Sequence, residues 1–187
     1  MRHLLFFFAV VLAHASAAAD VEEIVSNSYY TARPAAGATL LEILNTASPV
    51  RQNGRTFHAY TSWDVRWTFR WQQGSDGRCA ITAVNTKLKA EILLPKVQSA
   101  EMGVAVAFNQ YLNSLRAHEE GHLQIARSAA KKIDQKIRSL PTASSCQVLE
   151  VEANREGMAI LDAAKKEESA YDVYTAHGCQ QGACLVR

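Results

Sequence analysis

Apolar and polar residues alternate with a period of two through much of the first half of the chain. In residues 57–71, large apolar side chains occupy odd positions and mostly polar or charged side chains occupy even positions. This pattern predicts a long strand with one buried face and one solvated face. A partner strand is predicted in residues 79–94, before Pro95. The phase of its apolar residues slips near Ala83, which predicts a β-bulge there.

Two shorter elements are predicted before these strands. Residues 24–32 are expected to form an opening strand. Thr39 and Glu42 match a capping box, in which each side chain accepts a hydrogen bond from the other residue's backbone. A short helix through Leu44 should follow this cap.

The period changes to that of a helix from about residue 99 to residue 139. Apolar residues and one histidine recur there at steps of three and four: Phe108, Leu112, Leu115, His122, Ile125, Ala129 and Ile133. Pro141 should end this helix. Ser144 and Gln147 predict a second capping box, followed by a helix to about Ala170. Strands followed by helices indicate the α+β class, here a small antiparallel sheet followed by two long helices.

The N-terminal residues have the layout of a secretory signal peptide. A basic start at Arg2 and His3 precedes a short apolar run and then a stretch of small residues. We expect cleavage after Ala17 or Ala19. The apolar run is shorter than the ~20 residues that span a bilayer, so no membrane span should remain after cleavage. Residues 1–19 are thus the predicted signal peptide and residues 20–187 a single domain, secreted or periplasmic.

Charge and cysteine content indicate which partners the protein can bind and whether its compartment is oxidising. The chain has 20 Lys and Arg residues against 18 Asp and Glu residues, and the basic ones are dispersed, so no nucleic-acid partner is expected. The 4 cysteines all lie in the predicted mature domain, which favours disulfides in an oxidising compartment. Three pairings are possible. We favour Cys79–Cys146 and Cys179–Cys184, because the second pair closes only a small loop.

The strongest chemical signal is His118-Glu119-Glu120-Gly121-His122, an H-E-x-x-H sequence within the predicted long helix. Histidines four residues apart project from nearly the same side of a helix, so both imidazoles can bind one Zn²⁺ ion. Glu119 can then reach a water in the open position of the metal and act as general base. Gly121 would let another segment approach the helix closely beside the ligands.

A third ligand must come from elsewhere in the chain. The glycine and histidine of the metzincin extension are absent, because Ile125 and Ser128 occupy their positions. We favour His177, since an antiparallel helix pair would return the chain toward His118. The alternative is a glutamate of the second helix, for which Glu150, Glu152 and Glu156 are the candidates.

These motifs together resemble a bacterial family of uncharacterised domains described as predicted secreted zinc-dependent proteases. The resemblance covers essentially the whole mature chain. It is carried by the H-E-E-G-H helix, the later Tyr-Asp-x-x-Thr-x-His-Gly segment, and the strand containing Thr61, Trp63 and Trp67. It implies a site formed by His118, Glu119, His122 and His177, with Tyr171, Asp172 and Thr175 nearby.

The expected function is therefore that of a zinc metallopeptidase acting on a peptide or protein substrate. Asp172 is a candidate acceptor for the free N–H of a ligand histidine. Tyr171 or Tyr174 could donate a hydrogen bond to the oxyanion formed during hydrolysis, and His58 is expected to be solvated. Two alternatives stay open: a non-catalytic zinc-binding domain of the cell envelope, and a zinc hydrolase acting on a non-peptide bond.

Overall fold

A computed structural model describes residues 21–98 and 101–185. The elements in chain order are β1 (Val21–Ala32), α1 (Leu40–Ala47), β2 (Val50–Gln52), β3 (Arg55–Phe57), β4 (Tyr60–Gln73), β5 (Cys79–Val97), α2 (Met102–Arg138), α3 (Cys146–Thr175) and a 3₁₀ turn (Cys179–Gln181). The predicted signal peptide and its cleavage site lie outside the described residues. Within the described residues, no helix combines the length and apolar character needed to cross a membrane.

The three long strands form one sheet in the order β1-β5-β4. β4 and β5 are antiparallel, with Trp63 opposite Ala90, whereas β1 runs parallel to β5, with Val21 opposite Thr86. The predicted α+β class is confirmed, but the sheet is mixed rather than purely antiparallel. The segment between β1 and β4, which includes α1 and the β2–β3 hairpin, lets β1 lie on the far side of β5 in a parallel orientation.

The predicted β-bulge is present next to the expected residue. The β4–β5 register shifts where Arg70 pairs with Ala83 and Trp71 with Ile81, which leaves Thr82 as the extra residue. The prediction that β5 ends before Pro95 was wrong, because the strand continues to Val97. Proline has no backbone N–H to donate. Pro95 lies beyond the last residue of β5 that is paired with β4, so no hydrogen bond to β4 is lost there.

Helix α2 packs across one face of this sheet, and α3 packs beside it. The buried side chains of α2 include Leu123, Ala126, Ala130, Ile133 and Ile137, all at most 1% exposed. They meet the even-numbered residues of β5, which are buried from Val84 to Leu94. Of the predicted stripe, Phe108, Leu115 and Ile133 are buried in this core, whereas Ile125 and Ala129 pack in a second cluster with Ala164 of α3. The pattern therefore identified part of the buried side of α2, and it did not include Leu123, Ala126, Ala130 or Ile137.

Helices α2 and α3 are antiparallel. Lys136 contacts Glu156, and His118 contacts Asp172, so residues later in α2 meet residues earlier in α3. Helix α3 begins after Ser145, whose side chain accepts from the backbone of Val148. This cap lies one residue after the predicted Ser144.

The end of α3 also differs from the prediction. The helix continues to Thr175, beyond the predicted end at Ala170. Tyr171 and Asp172 therefore project from its last turns instead of from a loop. This extension places them against α2, since the C-terminal end of α3 lies beside His118.

Two disulfides are present in the described residues, one between β5 and α3 and one within the loop after α3. Cys79–Cys146 joins the first residue of β5 to the first residue of α3, and Cys179–Cys184 closes the small loop after α3. Both favoured pairings are therefore present. Paired cysteines of this kind are characteristic of an oxidising compartment outside the cytoplasm.

Candidate metal centre

Helix α2 brings the three residues of the H-E-x-x-H motif into one buried site. His118, Glu119 and His122 are 5%, 4% and 9% exposed, respectively. The two imidazole rings lie 4.9 Å apart between centroids. Both imidazoles and the Glu119 carboxylate are thus removed from bulk water near the middle of α2. An ordinary amphipathic helix would keep such polar side chains on its exposed face.

Asp172 of α3 faces both histidines. Its Oδ1 atom lies 3.3 Å from Nε2 of His118 and 3.1 Å from Nε2 of His122. Ligand atoms bound to one tetrahedral zinc at ~2.0–2.1 Å are roughly 3.3 Å apart, so these separations fit a shared ion. His118, His122 and Asp172 form a group whose donor atoms all lie within 4.8 Å of one another. This trio could hold a metal ion.

His177 lies at the edge of this group. Its Nδ1 atom is 3.6 Å from the same Oδ1 atom of Asp172, and its side chain is 41% exposed. Ala176, His177 and Gly178 have consecutive positive φ values of 50°, 51° and 83°. Such conformations are unfavourable for residues with a side chain and often accompany functional sites. The structure thus brings His177 to the site, but Asp172 lies closer to the other two histidines.

Each buried histidine has a hydrogen-bond partner on its second nitrogen. Nδ1 of His118 lies 2.9 Å from Oε1 of Gln181, and Nδ1 of His122 lies 3.4 Å from Oε1 of Glu168. Glu168 is itself held by Trp63, whose indole N–H donates to it at 2.7 Å. The sequence did not predict Gln181 or Glu168. The only available signal was for Glu168, which lies one helical turn before Asp172 on the same face of α3.

These surroundings shift the pKa values of the two histidines in opposite directions. Burial lowers the pKa of His118. Burial also lowers the pKa of His122, but the hydrogen bond to Glu168 and the charge of Asp172 outweigh it and raise the pKa overall. A neutral His118 is the form that can act as a metal ligand.

Glu119 faces the cleft on the side of β4. Oγ1 of Thr61 donates to Oε2 of Glu119 at 2.7 Å. Burial raises the pKa of Glu119, and the hydrogen bond from Thr61 opposes that shift. A buried carboxylate with a raised pKa is a typical candidate for a general base.

The two predicted tyrosines have other roles in this structure. The Tyr171 ring stacks on His118, with 5.1 Å between ring centroids, and its hydroxyl donates to the backbone oxygen of His118 at 3.3 Å. A Cβ atom on Gly121 would lie 2.0 Å from that hydroxyl oxygen, so the glycine does admit a close neighbour, as predicted. Tyr174 is 77% exposed and does not line the cleft. The geometry therefore does not support an oxyanion contact from Tyr171 or Tyr174.

The alternative glutamate ligands lie elsewhere on α3. Glu152 and Glu156 bind Arg155, and Glu150 is exposed. Even Glu156 lies roughly four turns before Asp172 along the helix. Distance therefore rules out all three as ligands of this centre.

His58 is buried, so the expectation that it is solvated was wrong. It is 8% exposed, and its ring nitrogens lie 2.8 Å from the hydroxyl of Tyr111 and 3.0 Å from Oδ1 of Asn45. His58 lies between β3 and β4, outside both strands, and its ring contacts Asn45 of α1 and Tyr111 of α2. Burial lowers the pKa of His58 to about 4, so the ring is neutral at physiological pH.

The candidate ligands and Glu119 open onto one cleft of about 700 Å³. Its walls are the β2–β3 hairpin, the first residues of β4, helix α2, and the end of α3 with the following loop. His118, Glu119, His122, Asp172 and His177 all line it. The potential metal ligands and the buried carboxylate are thus accessible from one cavity.

Comparison with known protein families identifies the family of this chain. Residues 27–178 match the model of a family described as "Bacterial protein of unknown function (DUF922)". Searches of curated proteins and of solved structures returned no significant match. The family match includes the strands β4 and β5, both long helices, and every candidate ligand. The chain therefore belongs to the DUF922 family of bacterial proteins of unknown function.

Proposed function

We propose that this protein is an exported zinc-dependent metallopeptidase. The observation that carries the proposal is the convergence of His118, His122 and Asp172 beside the buried carboxylate of Glu119 in one open cleft. A structural site would need the ligands but would have no need of that carboxylate. The disulfides support export, because such bonds persist outside the cytoplasm.

The donor set fits zinc better than a hard cation. Two imidazole nitrogens and one carboxylate are frequent zinc ligands, whereas calcium and magnesium prefer oxygen atoms alone. We assign His118, His122 and Asp172 as the protein ligands because they form the closest group. Zinc bound there would supply polarisation of a substrate carbonyl and a lowered pKa of a bound water.

Glu119 is the proposed general base. Its burial raises its pKa, which makes it a better proton acceptor than an exposed glutamate, and Thr61 holds one of its oxygens. It would accept the proton from the attacking water and deliver it to the leaving amine. His177, at the rim of the site, is positioned to hydrogen-bond to Asp172 or to a substrate.

The start of β4 is the proposed docking edge for an extended peptide. Ala59, Tyr60 and Thr61 line the cleft, and β4 is an edge strand of its sheet in the described residues. An edge strand can hydrogen-bond to an added peptide strand through its backbone. The central strand β5 cannot take this role, because β1 and β4 occupy both of its edges.

The test is the substitution Glu119→Gln, with Glu120→Gln as the matched control. The amide keeps the size of the side chain but cannot accept a proton, so turnover should fall by roughly 10²-fold or more. Glu120 is the next residue of the same helix, and its side chain forms an ion pair with Arg127. The Glu120→Gln variant should therefore cleave peptides at the rate of the parent protein. Zinc content should stay at the level of the parent protein in both variants.

The assay uses a broad pool of peptides, with products detected by mass spectrometry. Equal cleavage by the parent and the Glu119→Gln variant would refute the proposed mechanism. A parent protein that binds zinc but cleaves no peptide would support a non-catalytic zinc-binding domain. A parent that instead hydrolyses ester or amide substrates outside peptides would identify a different zinc hydrolase.

A further inference from the structure

The loop closed by the Cys179–Cys184 disulfide packs directly on the metal-binding helix. We call residues 178–184 the disulfide loop. Two of its residues, Gly178 and Gly182, have φ values of +83° and +88°. A Cβ atom on Gly178 would lie 3.0 Å from Cγ of His118, and one on Gly182 would lie 2.8 Å from Oγ of Ser114. The loop backbone thus touches α2 at the level of His118 and one turn before it.

This loop carries Gln181 into a closed ring of hydrogen bonds. Oε1 of Gln181 lies 2.9 Å from Nδ1 of His118, and its Nε2 donates to the hydroxyl of Tyr171 at 3.0 Å. The Tyr171 hydroxyl in turn donates to the backbone oxygen of His118. The same hydroxyl also lies 3.4 Å from Oε1 of Gln181. Because an amide oxygen can only accept, the contact between Oε1 and Nδ1 is a hydrogen bond when the proton of His118 is on Nδ1.

A neutral His118 carries one ring proton, and two neighbouring acceptors favour it on different nitrogens. Asp172 approaches Nε2 at 3.3 Å and would favour a proton there, whereas Gln181 approaches Nδ1 at 2.9 Å and favours a proton on that atom. Only the second tautomer leaves the Nε2 lone pair free toward His122 and Asp172. Thr175 is a weaker alternative acceptor, because its hydroxyl oxygen lies 3.5 Å from Nδ1 of His118 and its hydroxyl hydrogen is donated to the backbone oxygen of Tyr171.

We infer that Gln181 is a positioning residue for the metal centre, and that the disulfide loop exists to hold it. Gln181 keeps the proton of His118 on Nδ1, so that Nε2 can bind the metal. This inference rests on the proposed zinc site for its consequence, but the tautomer itself is a property of the metal-free protein. The disulfide contributes by restricting the loop that presents Gln181 to His118.

The first test compares Gln181→Leu with Gln180→Leu. Gln180 is the preceding residue of the same loop, is equally a glutamine, and is exposed, so it controls for the loop and for the side-chain change. Loss of such a partner typically lowers metal affinity 10–100-fold, and we expect this for Gln181→Leu alone. Gln181→Glu, which keeps an acceptor for Nδ1–H, should retain most of the affinity. Zinc affinity is measured by competition with a chromophoric chelator.

The second test reads the tautomer directly. Long-range ¹H–¹⁵N spectra of metal-free protein labelled with ¹⁵N-histidine distinguish a proton on Nδ1 from one on Nε2. The parent and Gln180→Leu should show His118 with its proton on Nδ1. In Gln181→Leu the proton should move to Nε2, toward Asp172. A loss of packing alone would not produce this change.

The disulfide is tested with the double substitution Cys179→Ser and Cys184→Ser. We expect a mixture of His118 tautomers and a zinc affinity between those of the parent and Gln181→Leu. An unchanged His118 tautomer in Gln181→Leu would overturn the inference, whatever the zinc affinity. A parent that binds no zinc would refute the proposed function, and the tautomer spectra would still decide the role of Gln181.

Discussion

Thr61 at the start of β4 donates its hydroxyl hydrogen bond to the carboxylate of Glu119 on α2, across 58 positions of sequence. The same hydroxyl also lies 3.2 Å from the backbone oxygen of Glu119. Both residues are buried, so water does not easily replace this contact. The position of the proposed general base therefore depends on the sheet as well as on its own helix.

Thr61→Val should destabilise the protein and slow turnover without removing zinc. A buried acceptor left without its donor costs about 1–3 kcal/mol, and the free energy of unfolding should fall by that amount. Thr61→Ser, which keeps the hydroxyl, should lose less. Thr68→Val on the exposed face of the same strand is the control and should have little effect. Denaturant unfolding gives the comparison, and equal loss in Thr61→Val and Thr61→Ser would contradict a role for the hydrogen bond.

The assignment of Asp172 as the third ligand predicts an order of zinc affinities. Asp172→Asn should lose more affinity than His177→Ala, because Asp172 is closer to the other two ligands and His177 is partly exposed. Glu156→Gln, far along the same helix, should bind zinc like the parent. Metal content after dialysis and chelator competition measure this order. If His177→Ala lost the metal while Asp172→Asn kept it, His177 would be the third ligand.

Gly121→Ala should destabilise the protein despite the higher helix propensity of alanine. The new Cβ would lie 2.0 Å from the Tyr171 hydroxyl oxygen and 2.3 Å from Cζ of its ring. Overpacking of this kind costs about 1–3 kcal/mol, which exceeds the ~1 kcal/mol gained in propensity. Gly103→Ala near the start of α2 is the control, because its Cβ would meet nothing within 4 Å.

The clash can be isolated with a double-mutant cycle. Because Tyr171→Ala removes the ring, the added cost of Gly121→Ala should disappear in that background. Thermal or denaturant unfolding of the four proteins gives the coupling free energy. Strict additivity of the two substitutions would show that Tyr171 does not limit the size of residue 121.

His58 predicts a loss of stability in mild acid. Its pKa falls from 6.5 in an unfolded chain to about 4 in the folded protein, chiefly through burial. Below pH 6.5 the unfolded chain binds a proton that the folded protein does not bind until about pH 4. The free energy of unfolding should therefore decrease as the pH falls through this window, by roughly 3 kcal/mol in total.

The variant His58→Gln isolates this contribution. It should be less stable than the parent at pH 7, because the ring and its contacts with Tyr111 and Asn45 are lost. The difference between the two proteins should shrink toward pH 4, since only the parent carries the titrating ring. A difference that stays constant from pH 7 to pH 4 would refute the low pKa of His58.

Much of the fold followed from local patterns in the sequence. The alternation in β4, the slip at the β-bulge, and the apolar stripe of α2 predicted these elements, because side-chain periodicity follows directly from backbone geometry. Parallel pairing of β1 with β5 was not predicted, since the orientation of a strand depends on where the intervening chain crosses the sheet. The β2–β3 hairpin was missed because three-residue strands carry too little pattern.

The candidate site was likewise predicted in part from local sequence, and the rest of it depends on tertiary packing. The motif alone predicted that His118, Glu119 and His122 share one region of α2, because residues four apart on a helix are neighbours in any fold. The sequence also placed Asp172 and His177 in one segment. Three further contacts could not be predicted from local patterns: Asp172 faces both histidines, Thr61 holds Glu119, and Gln181 reaches His118. Those contacts join residues 50 or more positions apart, so they exist only after α3 and β4 have packed against α2.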